Sequence, residues 1–90
     1  GVFSIVLEKV PAALAREVTE SVSVPVIGIG AGGGCDGQIL VSHDMLGICT
    51  RFNPRFVRRY GNLADEMRSA FERFSADVRG RDFPRDDESY

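Results

Sequence analysis

Val2-Phe3-Ser4-Ile5-Val6-Leu7-Glu8-Lys9-Val10-Pro11 is the stretch whose reading decides the fold. Val2 to Leu7 is a short apolar run rich in valine and isoleucine. Such runs suit strands covered on both faces, as in parallel sheets. Glu8 stands where the run gives out. Pro11 disfavours helix for Val10 but suits the first position of a helix itself. The pattern that follows is helical: Leu14, Val18 and Val22 recur four apart, with Arg16, Glu17 and Glu20 on other faces. Ser21 to Val24 then reads as a short loop. Pro25 to Gly30 reads as a second strand, apolar on both faces, with glycines that imply a close approach by something else. Ala31 to Gly37 is a glycine-rich loop, and Gln38 to Met45 is expected to be a short helix capped by Asp36. Strand, helix, strand, helix with short joints predicts parallel βαβ construction in an α/β fold.

Beyond residue 47 the character changes. Gly47 to Pro54 reads as a connector, and Pro54 to Tyr60 as a short helix carrying Arg55, Arg58 and Arg59. Asn62 is a good N-cap for a longer helix, with Asp65 and Glu66 in its first turn. Leu63, Met67, Ala70, Phe71, Phe74 and Val78 make a continuous apolar stripe, and Arg79 and Gly80 close the helix. Arg81 to Tyr90 is polar except Phe83 and reads as a surface tail.

The chain has 90 residues, 43% hydrophobic and 27% charged, which fits a globular rather than a disordered protein. Eleven basic against thirteen acidic side chains leave a net charge of −2, the opposite of what a nucleic-acid partner favours. Val18 to Cys35 carries only Glu20 as a charge, but serine, proline and glycine disqualify it as a membrane span. No basic segment precedes an apolar one, so no secretory signal is expected and a cytoplasmic location is. Two strands with helices on both faces leave their sheet edges open and much apolar surface wet. The sequence therefore predicts the end of something larger: the last third or so of a (β/α)8 barrel, which takes about 250 residues. Residues 1–50 would be its last two βα units, 51–80 C-terminal helices, and 81–90 the tail.

Glu8 is the first chemical candidate. Barrel enzymes keep their catalytic groups at the C-terminal ends of strands, where a carboxylate shut away from water becomes a stronger base. The plain alternative is that Glu8 pairs with Lys9 or an arginine at the rim. Gly28-Ile29-Gly30-Ala31-Gly32-Gly33 formally matches the dinucleotide pattern G-x-G-x-x-G. That motif needs a full helix, a second strand and an acidic residue about 20 positions on, and none follows here. A tight loop permitting close backbone approach is the favoured reading. His43 and Asp44 are adjacent on an expected helix, so they point apart rather than orient one another, and a hydrogen-bonding pair near the helix end is the favoured role. Cys35 and Cys49 have neither metal-like spacing nor an activating neighbour, and read as packing residues. Arg51, Arg55, Arg58 and Arg59 form a basic patch suited to subunit contact or solvent.

Three motifs occur in order: Val6-Leu7-Glu8-Lys9-Val10-Pro11, Ile27-Gly28-Ile29-Gly30-Ala31-Gly32, and Asp36-Gly37-Gln38-Ile39-Leu40-Val41 followed by His43-Asp44. Together with Pro54 to Tyr60 and the late Phe83-Pro84 and Asp87-Glu88-Ser89-Tyr90, they resemble the ketopantoate hydroxymethyltransferase family over essentially the whole chain. The resemblance implies a (β/α)8 TIM barrel of the phosphoenolpyruvate-mutase and isocitrate-lyase type. It implies hydroxymethyl transfer from 5,10-methylenetetrahydrofolate to 3-methyl-2-oxobutanoate, giving 2-dehydropantoate for pantothenate biosynthesis. It also assigns Glu8 as the general base, with Mg2+ chelated by the keto acid and held by aspartates upstream of this chain. A ring-based homodecamer is implied too. Lys9 stands where the family often has a small residue, and Gly33-Gly34-Cys35 replaces a more polar loop.

The resemblance also leads to the expectation that the 90 residues alone neither hold magnesium nor turn over substrate. Two readings from other classes stand beside it: a small module binding phosphate through its glycine loop, and a non-catalytic assembly element docking through the long helix and the arginine patch.

Overall fold

The computed structural model describes all residues, 1–90. Its elements are β1 (Ile5–Glu8), α1 (Ala12–Ser21), β2 (Val26–Ile29), β3 (Gly37–Gln38), α2 (Ser42–Met45), α3 (Leu63–Arg79) and a single 3-10 turn at Asp86–Glu88. The three strands form one parallel sheet in the order β1-β2-β3.

β1 is shorter at its start than the apolar run and reaches one residue further, to Glu8. Ile5 stands opposite Val26, and the Ile5 amide donates to the Pro25 carbonyl at 2.9 Å. Pro25 has no N–H to offer in return, so the ladder begins there. Val2 and Phe3 lie beyond it, exposed. Pro11 holds the N-cap position of α1, one residue before the first helical turn, with ψ at 135°.

The expected helix from Gln38 to Met45 is corrected at its start. Gly37 and Gln38 pair in parallel with Ile27 and Gly28 as β3, and the helix is confined to α2. Asp36 caps no helix. Its carboxylate accepts the Val26 amide at 2.8 Å, while its own amide donates to the Val26 carbonyl at 2.9 Å. Two hydrogen bonds to one residue of β2 dock this segment beside the sheet, which outweighs the weak helix preference of so short a stretch.

Pro54 to Tyr60 is not helical either. It makes one turn, with the Val57 amide donating to the Pro54 carbonyl at 3.0 Å. The Tyr60 amide is spent on the Met45 carbonyl at 2.7 Å, so no helical partner can claim it.

α3 spans the predicted stripe. Asn62 holds the N-cap position, but its side-chain amide donates to the Asp65 carboxylate at 2.7 Å instead of its oxygen accepting a backbone N–H. Gly80 stays right-handed, and Arg81, at φ 57°, takes the left-handed turn that ends the helix. The reversal brings Phe83 back onto Phe74, edge to face at 5.3 Å between centroids. All of residues 81–90 nonetheless remain exposed.

The chain is elongated, 66 × 28 × 15 Å, with a radius of gyration of 21.4 Å. A compact domain of this length would have about 12 Å. The small core is Ala15, Val26, Ile29 and Ala31.

Candidate active site

The parallel ladder fixes where Glu8 stands. Glu8 is the last residue of β1 and pairs in register with Ile29, the last of β2. Side chains alternate across a strand, so Val6 and Glu8 share one face with Ile27 and Ile29, while Ile5 and Leu7 share the other. Along β1 burial alternates too: Ile5 and Leu7 are half-buried, Val6 and Glu8 exposed. Glu8 is thus presented, exposed, at the C-terminal edge of β1, on the face it shares with the exposed Val6. Its side chain makes no hydrogen bond or ion pair, and the chain's two ion pairs lie elsewhere, at Arg68–Asp65 and Arg85–Asp82. Pairing with Lys9 or an arginine, the plain structural alternative, does not occur.

Beyond that edge lies the glycine loop. It joins β2 to β3, two parallel neighbours, through only residues 30–36. A parallel crossover ordinarily takes a dozen or more residues, so this loop must double back sharply, and glycine makes that possible. Gly30 and Gly32 sit at φ 64° and 79°, where only glycine is comfortable. A Cβ on Gly30 would lie 2.8 Å from the Phe56 ring, and one on Gly32 would strike Ala12 at the start of α1. The loop thus closes on a helix and an aromatic ring. With a short strand following it, this is the close-approach loop rather than a dinucleotide fingerprint.

Between the loop and the 56–60 segment is an open cleft of ≈ 460 Å³, lined by Gly30, Gln38, Ile39, Phe56, Arg58 and Tyr60 among others. Gln38 donates its side-chain amide to the Gly32 carbonyl at 2.8 Å and stiffens one wall. Arg58 lies 6.0 Å from the Tyr60 ring centroid on the other. Asp36 also lines the cleft.

The remaining candidates do not assemble. His43 and Asp44 on α2 make no side-chain hydrogen bond, neither the dyad nor the expected helix-end pair, and it is the His43 carbonyl that is used, accepting the amides of Ile48 and Cys49 at 2.9 and 3.0 Å. Cys35 and Cys49 are free and half-buried. Of the four arginines, Arg59 donates to the Cys49 carbonyl at 3.1 Å and Arg58 to the Tyr60 hydroxyl at 3.4 Å. No three histidine, cysteine, aspartate or glutamate side chains come together so as to hold a metal ion. No helix is long and apolar enough to cross a membrane.

Comparison with known proteins falls on the same residues. The family model for ketopantoate hydroxymethyltransferase matches residues 1–86. The chain is 63% identical over its full 90 residues to the 3-methyl-2-oxobutanoate hydroxymethyltransferase of Christiangramia forsetii, covering 33% of that protein. It is 60% identical to the protein of the same name from Porphyromonas gingivalis and 61% to that from Prosthecochloris aestuarii, each over all 90 residues, covering 33% and 32% of them. It thus spans about a third of the length of the curated relatives it matches. The family-model match over residues 1–86 and this identity along the whole chain place it in the ketopantoate hydroxymethyltransferase family.

Proposed function

We propose that this chain contributes the general base, Glu8, to a complete (β/α)8 barrel. That barrel would transfer a hydroxymethyl group from 5,10-methylenetetrahydrofolate to 3-methyl-2-oxobutanoate and release 2-dehydropantoate. The observation that carries the reading is the unpaired, exposed Glu8 carboxylate at the C-terminal edge of β1. C3 of the keto acid lies next to a ketone and is a weak carbon acid. Glu8 would remove its proton to leave an enolate. Water would add to the folate's one-carbon unit and break its C–N bonds, releasing tetrahydrofolate and a formaldehyde-level carbonyl that the enolate attacks. The resulting alkoxide takes up a proton to become the hydroxyl. The proton from C3 rests on the Glu8 carboxyl, which must lose it before the next turnover. The rest of the barrel would cover the exposed edge at Glu8 and exclude water from the site.

The family implies magnesium, and the residues present here do not fit one, since no ligand cluster forms among them. The metal would belong to residues outside this chain, and no step of Glu8 is routed through it. The glycine loop and the arginine patch would serve the rim and the assembly of the whole enzyme.

The test is a chimera in which these 90 residues replace the segment they match in the Christiangramia forsetii protein. Exchange of the C3 proton with deuterated water, without folate, isolates the first step. Glu8→Gln keeps size and hydrogen-bonding shape but removes basicity, and should slow exchange by about 100- to 10,000-fold with substrate binding retained. Exchange near the parent rate would remove Glu8 from the role.

A further inference from the structure

Resting on that reading of Glu8, we infer that Lys9 is a positioning residue, acting through its backbone: its left-handed turn fixes Glu8 at the sheet edge. Lys9 has φ 53°, a conformation that residues with a Cβ rarely adopt. Strain of this kind persists where the surrounding structure holds it, and it gathers at active sites. Both sides of Lys9 are held. Its amide donates to the Ile29 carbonyl at 2.8 Å, extending the β1–β2 ladder one step past Glu8. On the other side Val10 precedes a proline and is pushed towards extended backbone, and Pro11 sits at φ −52° and ψ 135° before α1 begins at Ala12. Neither Val10 nor Pro11 is free to turn the chain. The change of direction from strand to helix is therefore concentrated in Lys9, and Glu8 is the residue it sets at the edge.

The Lys9 side chain has no part in this. It is exposed and forms no ion pair with Glu8 or any other carboxylate. Activity should then follow how easily each residue takes the left-handed conformation, irrespective of charge. Glycine takes it freely, asparagine tolerates it, and a β-branched residue resists it.

Lys9→Gly, Lys9→Asn and Lys9→Val in the chimera described above test this, with kcat counted per folded site. Glycine and asparagine should keep kcat within about twofold. Valine should lose about 10- to 100-fold, since a displacement near 1 Å costs on that order, with KM little changed. A merely structural residue would lower the amount of folded protein and leave kcat per site alone. Normal kcat in Lys9→Val, or a loss in Lys9→Gly as large as in Lys9→Val, would overturn the inference while Glu8→Gln still abolished exchange. Rapid exchange by Glu8→Gln would overturn the base assignment, and the positioning role with it.

Discussion

The two halves of the chain reach order by opposite routes. All six buried residues, Ala15, Val26, Gly28, Ile29, Ala31 and Gly47, lie within residues 1–50, and residues 51–90 bury none. In the first half the decisive hydrogen bonds join distant positions, Ile5 to Pro25 and Asp36 to Val26. In the second, α3 satisfies its backbone locally and touches the first half chiefly through backbone bonds at its root, from Leu63 to Leu46 and Ala64 to Gly47. Its apolar stripe finds little cover within the chain: Phe74 meets Phe83 yet stays 52% exposed, and Phe71 is 65% exposed. A sheet cannot form without tertiary contact, because each strand completes its hydrogen bonds only on another. A helix can, although 17 residues alone in water are only marginally stable.

The contrast can be broken most forcefully at Val26, whose side chain is fully buried. Val26→Asp places an unpaired carboxylate in the core and should cost about 3–5 kcal/mol in the chimera, read as a lowered denaturant midpoint or loss of soluble protein. A loss under about 1 kcal/mol would mean that the sheet core is not what holds the first half. Gly30→Val comes next, combining an unfavourable φ with a clash against Phe56. About 3 kcal/mol is expected from the two effects together. Adding Phe56→Ala should recover the part due to the clash, and an unchanged loss would show that the backbone alone carries it. The smallest effect belongs to the second half. In the 90-residue chain by itself, Phe71→Ser should shift helix stability by no more than about 0.5 kcal/mol, followed by far-ultraviolet circular dichroism. A larger loss would reveal that the stripe is covered in solution, and the comparison between the halves would need redrawing.

Much of this was legible before the fold. The apolar run ending in Glu8, the proline that starts α1 and the stripe of α3 follow from local rules: strand runs, proline at a helix start, and 3.6-residue periodicity. Glu8 as the candidate base was legible too, since its place after an apolar run is a statement about sequence alone. The helix predicted over Pro54–Tyr60 failed because Tyr60 bonds to Met45, fifteen positions back. The helix predicted from Gln38 failed because Asp36 and Gly37 are held on β2. In both cases a distant partner outbid a short local preference.

By itself, then, the sequence determined which segments could be strand or helix, and set a carboxylate at the end of the first strand. Periodicity and the properties of proline act over a few residues and need no other part of the chain. Only the tertiary structure decided that β3 exists, that Glu8 stands level with Ile29 at the sheet edge, and that Lys9 must turn left-handed. Those depend on register, on which strands pair, and on where the chain must go next, and each is fixed only when segments far apart in sequence meet.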